Sequence, residues 1–91
     1  MDNTTQSKFV FDKETIQTAV DEWCKDKKTA TIKYGDISTW NTSNVMTMER
    51  LFYDKVDFND DISNWDTSNV QNMKEMFLDA ANFNQNIGEW K

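Results

Sequence analysis

The sequence predicts an α/β solenoid of short strand–helix repeats, closed at its N-terminal side by a capping helix. Three observations carry the prediction. First, the stretch ISTWNTSNVMTMERLF (37–52) returns 25 residues later as ISNWDTSNVQNMKEMF (62–77), with nine of sixteen positions identical. Second, large side chains keep that period: Ile37, Ile62 and Ile87; Trp40, Trp65 and Trp90; Phe52 and Phe77; Phe58-Asn59 and Phe83-Asn84. A fixed period of this length is the signature of stacked units. Third, one amphipathic, capped segment precedes the first unit.

That segment is FVFDKETIQTAVDEWCKDKK, and the helix is expected over about 12–27. Asp12 offers a side-chain oxygen to the first turn. A full capping box is not expected, because the third residue after the cap is Thr15 rather than Glu or Gln. Phe11 and Ile16 fit a hydrophobic staple across the cap. Ile16, Ala19, Val20 and Trp23 follow the spacing of one apolar face. Glu14 suits the positive end of the helix dipole, and Lys25, Lys27 and Lys28 suit the negative end. Ahead of it, residues 1–8 are polar and read as a flexible N-terminus. After it, Ala30, Ile32 and Tyr34 alternate with polar residues, which predicts a short strand ended by Gly35. Residues 9–36 thus form a helix–strand cap, and 37–91 hold two full repeats plus the start of a third.

Within a unit, Thr67-Ser68-Asn69-Val70-Gln71 reads as a helix start, with Ser68 and Gln71 as a capping box. The first copy has Ser43 as cap but Met46 in place of the partner. Val70, Met73, Met76 and Phe77 then lie at offsets 0, 3, 6 and 7, as Val45, Met48, Leu51 and Phe52 do in the first copy. That spacing is one face of a helix of about two and a half turns. So short a helix needs neighbours. The Ile, Trp, Met and Phe columns are expected in one continuous core, and Asn59 with Asn84 in a ladder of buried amides. The third turn, from Phe83 to Trp90, lacks its helix and is expected to cover the second unit. The face beyond it has no cap of its own. Either self-association through that end or truncation from a longer array is expected.

Composition excludes several functions. The chain has 16 acidic and 10 basic residues, a net charge of −6 and no His. Direct nucleic-acid binding needs clustered Lys and Arg and is not expected. No apolar run approaches the roughly 18 residues of a membrane span, and the first residues do not read as a signal peptide. The single cysteine, Cys24, cannot form an intramolecular disulfide and reads as a small packing residue. Asp57 to Ser63, DFNDDIS, opens like a calcium loop. It has Ile62 where such a loop needs Gly and Ser68 where it needs a bidentate Glu, and the second copy has lost every carboxylate. Asp60 and Asp61 have no nucleophile or oxyanion arrangement near them. No cofactor, metal or catalytic residue is assigned.

The phrase FNxxIxxWDTSNVxxMxxMF, with YGDISTW leading into the first unit, resembles the BspA-like 25-residue surface repeat, also found in mycoplasma surface lipoproteins. The resemblance covers about residues 30–91. It implies a leucine-rich-repeat-like build, display at the cell surface or outside the cell, adhesion or protein–protein contact, and no enzymatic activity. The chain departs from the family in having only two full units and no lipoprotein cysteine or secretion signal near its start, which leaves the cytoplasm as the other location. The expected function is a non-catalytic interaction or adhesion module for a protein partner. Its contacting residues are those the copies do not share on the outward helix face: Thr47, Glu49, Arg50, Asn72, Lys74 and Glu75. The alternative is a small acidic inhibitor that occupies a basic, nucleic-acid-binding surface of another protein.

Overall fold

A computed structural model describes residues 9–88 and 90, and among these there are two α-helices and a single 3-10 turn. The flexible segment expected at 1–8 lies outside the described residues. Helix α1, Lys13–Lys25, begins at Asp12, whose side chain accepts from the amides of Glu14 and Thr15. The box is closed after all: the Thr15 hydroxyl reaches the Asp12 backbone N–H, at 2.9 Å. A hydroxyl at the third position does what a Glu carboxylate does, because the gap is short. The apolar face is the expected one, with Ile16, Ala19, Val20 and Trp23 all buried.

The expected strand at 30–34 is a helix. α2, Lys27–Tyr34, follows α1 after a break at Asp26, whose carboxylate caps it through the Thr29 amide. Ala30 and Tyr34 are buried one helical turn apart, while Ile32 is 82% exposed. The apparent alternation was an i, i+4 pair with an outlying Ile between its members. Gly35 ends α2 at φ 82°, a backbone open to glycine at little cost.

The strand–helix solenoid and its leucine-rich-repeat-like build are overturned. Among the described residues there is no sheet, only two isolated parallel bridges, Val10–Asn41 and Thr47–Asn72. The helix expected over 45–52, and its copy over 70–77, is a run of turns. Leu51 N–H donates to the Met48 carbonyl, Tyr53 to Arg50, Lys55 to Phe52 and Phe58 to Lys55. The second copy repeats this with Met76 to Met73, Leu78 to Glu75, Ala80 to Phe77 and Phe83 to Ala80. Arg50, Asp54, Glu75 and Asp79 have positive φ, from 56° to 63°. A left-handed residue every fourth position cannot belong to a right-handed helix.

The helix start misread at Thr-Ser-Asn-Val has its own cause. The residue before each Thr is the acceptor: Asn41 Oδ1 takes the Ser43 amide and hydroxyl, and Asp66 Oδ1 takes those of Ser68. These are side-chain turns rather than N-caps. The Ile-x-x-Trp spacing also resolves as a turn, with Trp65 N–H donating to the Ile62 carbonyl and Trp90 to Ile87.

Burial nonetheless follows the predicted columns in the first copy, where Val45, Met48, Leu51 and Phe52 are each at most 1% exposed. Turns closed by i to i+3 bonds return side chains inward at nearly the helical period. In the second copy Met76 stays buried, Phe77 is half-buried and Met73 is exposed. Of the three repeat methionines, Met48 and Met76 are core and Met73 is not. Aromatic rings pack within each copy, Phe52 against Phe58 and Phe77 against Phe83 at 4.2 Å, and run along the stack from Phe52 to Phe77 at 5.5 Å and from Phe58 to Phe83 at 5.8 Å. The Trp column is buried at Trp40 and Trp65 and half-buried at Trp90. Asn59 and Asn84 do meet, Asn84 N–H donating to Asn59 Oδ1 at 2.8 Å, but both are exposed rather than buried.

Candidate interaction surface

The two copies are joined by a ladder of backbone bonds in register. The N–H groups of Met48, Arg50, Phe52 and Asp54 donate to the carbonyls of Asn72, Lys74, Met76 and Leu78, at 2.8–3.0 Å. Gln71 and Asn82 donate the other way, to Met46 and Val56. Because the turns consume every other amide within a copy, the remaining amides point along the stack. α1 covers the opposite side of the first copy. Gln17 Nε2 donates to the Leu51 carbonyl at 3.2 Å, and Trp23 Nε1 donates to Asp60 Oδ2 at 2.9 Å.

The ladder brings the expected contact residues together across the two copies in pairs. Thr47 bridges to Asn72, and its hydroxyl reaches the Asn72 carbonyl at 3.4 Å. Asn72 Nδ2 donates to Glu49 Oε1 at 3.3 Å. Arg50 Nε pairs with Glu75 Oε1 at 2.5 Å, and Glu75 raises the guanidinium's pKa above its ordinary value. Lys74 is exposed and its amide is held by Asn72 Oδ1. Thr47 and Glu75 are half-buried, and the other four are exposed.

Sequence reasoning missed two members of this face. Tyr53 is 41% exposed and Leu78 44%. They stand 25 residues apart, so the Tyr–Leu column was visible as a column, but nothing in the sequence said it faced outward. The Arg50 guanidinium lies 5.4 Å from the Tyr53 ring centre, a cation–π arrangement. Arg50, Tyr53, Glu75 and Leu78 thus make an amphipathic patch on a hydrogen-bonded frame.

A second feature is a hollow of about 520 Å³ between the end of α1 and residues 54–60, lined by Trp23, Cys24, Lys27, Lys55, Phe58 and Asp60 among others. Lys27 pairs with Asp60 at 3.0 Å, and Lys55 with Asp21 at 2.9 Å. Cys24, expected to pack, is instead exposed at this rim, and partial desolvation there pushes its thiol up to about 11, against the pull of Lys55. A thiol so protonated at neutral pH is a poor nucleophile.

The carboxylates of the calcium-like stretch do not converge. Asp57 Oδ1 faces Asn82 Nδ2 at 3.5 Å, Asp60 is engaged by Trp23 and Lys27, and Asp61 accepts from Ser63. Asp60 and Asp61 therefore turn to different partners. The Ser63 hydroxyl and amide hold Asp61 below the usual carboxylate range, and Ser68 does the same to Asp66. Among the described residues, no helix is long and apolar enough to cross a membrane.

No curated protein and no solved structure matches the chain at a significant level. The family model described as "Mycoplasma protein of unknown function, DUF285" matches residues 4–91, and the chain belongs to that family.

Proposed function

We propose that this chain is a non-catalytic repeat module that binds another protein through the outer face of its turn ladder. The observation that carries the reading is the patch formed by Arg50, Tyr53, Glu75 and Leu78, flanked by Thr47, Glu49, Asn72 and Lys74. An exposed tyrosine beside an arginine on a fixed backbone is the kind of pair interface hot spots are enriched in. A frame locked by inter-copy hydrogen bonds loses little entropy on binding. The resemblance to the BspA-like surface repeat, together with membership of a mycoplasma family, supports display at the cell surface and a role in adhesion. The acidic-inhibitor reading needs unpaired carboxylates gathered on one side. Four of the acidic residues, Asp21, Glu22, Asp60 and Glu75, are instead paired with Lys55, Lys33, Lys27 and Arg50, which weakens that reading without removing the other carboxylates.

The test is quantitative capture of proteins from cell extracts and membranes by the immobilised chain. It compares the native sequence with a Tyr53→Ser, Leu78→Ser variant and a Lys74→Glu variant, each checked for intact folding. Proteins enriched by the native chain and lost with the variants are the expected outcome. Identical profiles would remove the face from consideration.

A further inference from the structure

The hollow between the end of α1 and residues 54–60 already seats one cation, and the chain itself supplies it. The Lys27 ammonium lies 5.4 Å from the centre of the Trp23 ring and 3.0 Å from Asp60 Oδ1. The other oxygen of that carboxylate takes the Trp23 indole N–H at 2.9 Å. An indole face and a carboxylate tied to the same indole make a fixed seat for positive charge. The hollow is larger than this seat. At about 520 Å³ it has the volume of a ligand site, and the Lys27 side chain, 58% exposed, leaves it open.

Two more carboxylates line the hollow, those of Asp54 and Asp57. Among the described residues neither is paired with a cation, and Asp57 meets the Asn82 side-chain amide at 3.5 Å. Both lysines of the lining are engaged, Lys27 by Asp60 and Lys55 by Asp21 at 2.9 Å. The unbalanced charge of the hollow is therefore negative. Its surroundings have the same sign, since residues 36–88 carry nine acidic side chains and three basic ones. Val56, 48% exposed, gives the lining an apolar wall.

We infer that this hollow receives an arginine side chain of the protein partner, with Asp54 and Asp57 accepting from its guanidinium and Val56 beside its aliphatic stem. The inference rests on the reading of the chain as a protein-binding module and names the chemistry of that partner. Arginine fits better than lysine. Its five N–H groups lie in one plane and reach two carboxylates at once, whereas an ammonium would repeat the seat that Lys27 fills. A second copy of this chain does not supply the group, because its one arginine, Arg50, is held by Glu75. The rim also joins the outer face: Asp54 follows Tyr53 directly, and its amide donates to the Leu78 carbonyl at 2.8 Å. A partner laid across Tyr53 and Leu78 brings a side chain within reach of the hollow.

The probe is a blocked pentapeptide, one arginine flanked by two alanines on each side, titrated into the full chain and followed by two-dimensional NMR. The same peptide with citrulline, the neutral isostere of arginine, is the control. Saturable shifts at the Trp23 indole N–H and at the amides of residues 54–58 are expected with arginine and not with citrulline. Asp54→Asn combined with Asp57→Asn retains the positive φ at position 54, which Asn tolerates. It is expected to weaken binding about fivefold, as the loss of two exposed ion pairs would. Removing the same charge outside the lining, by Asp36→Asn with Asp79→Asn, leaves the affinity unchanged. Lys27→Met removes the resident cation and tightens binding severalfold, whereas Lys28→Met, outside the lining, does not. The peptide has no large apolar side chain for Tyr53 and Leu78, so it reads the hollow alone and can fail where capture through the outer face succeeds, or the reverse. Absence of shifts, equal binding of the citrulline peptide, or equal losses in the two double variants overturns the proposal. So do saturable shifts confined to residues away from the hollow.

Discussion

Phe52→Ala and Phe77→Ala remove the same ring from the same column of the repeat, yet their costs are expected to differ severalfold. Phe52 is fully buried and stacks on Phe58 at 4.2 Å and on Phe77 at 5.5 Å, with Trp65 at 5.9 Å. Its removal loses the transfer energy of the ring and leaves a closed cavity, so about 4 kcal/mol is expected. Phe77 is half-buried at the open face of the stack. Its transfer term is roughly half that of a buried ring, about 1 kcal/mol, and the gap it leaves opens to water, so the cavity term falls away. A chain of this size has about 5–14 kcal/mol in total. Urea unfolding followed by tryptophan fluorescence measures both, and with a slope of about 1 kcal/mol per molar the midpoints separate by about 3 M. If Phe52→Ala does not fold, Phe52→Leu and Phe77→Leu preserve the comparison at smaller amplitude. Equal midpoints for the two positions would mean that the second copy is as enclosed as the first, and the open face would be wrong.

Three further outcomes are expected. Trp23→Phe keeps the packing of α1 but loses the indole bond to Asp60, at 2.9 Å and partly buried. Bonds to charged groups contribute about 1.5–3 kcal/mol, so calorimetry should show Tm lowered by several degrees, and an unchanged Tm would make that contact decorative. Asp12, Asp26, Asp61 and Asp66 are all held below the ordinary carboxylate range, by Thr15, Thr29, Ser63 and Ser68 in turn. A lowered folded-state pKa adds stability above the unfolded value near about 4 and loses it as pH falls through the folded value. Circular dichroism should therefore show Tm dropping between pH 6 and pH 3, with a smaller drop in Asp66→Asn, which keeps the acceptor without titrating. Cys24, with its thiol pushed up to about 11, should react with iodoacetamide at pH 8 about 100-fold more slowly than the unfolded chain. Mass spectrometry of timed samples checks this, and equal rates would contradict the burial.

The parts of the fold that were legible in the sequence depend on local or periodic information. α1 was visible because its cap, its staple and its apolar face all lie within 13 residues of one another. The columns were visible because a side chain that must enter a shared core is repeated at the shared period. The conformation between the columns was not visible. Offsets of 0, 3, 6 and 7 suit a helix and a chain of three-residue turns equally, and only the backbone's hydrogen-bond partners separate them. α2 was misread for a related reason: a pattern of two apolar residues four apart, with a third between them, satisfies strand and helix until something shows which one is buried.

The candidate site divides in the same way. The six unshared residues were named from the difference between two copies, and the ladder links several of them across the copies, Thr47 with Asn72 and Arg50 with Glu75. Tyr53 and Leu78 escaped because hydrophobic columns look alike whether they face a core or water. What the sequence determined by itself is the period, the core columns of the first copy and the helix that covers it, because these follow from side chains at fixed spacing. What only the tertiary structure decided is the direction of the stack. Alternate amides of the first copy leave it for the carbonyls of the second, so the ladder between them has a donor side and an acceptor side, a polarity that no order of side chains can express.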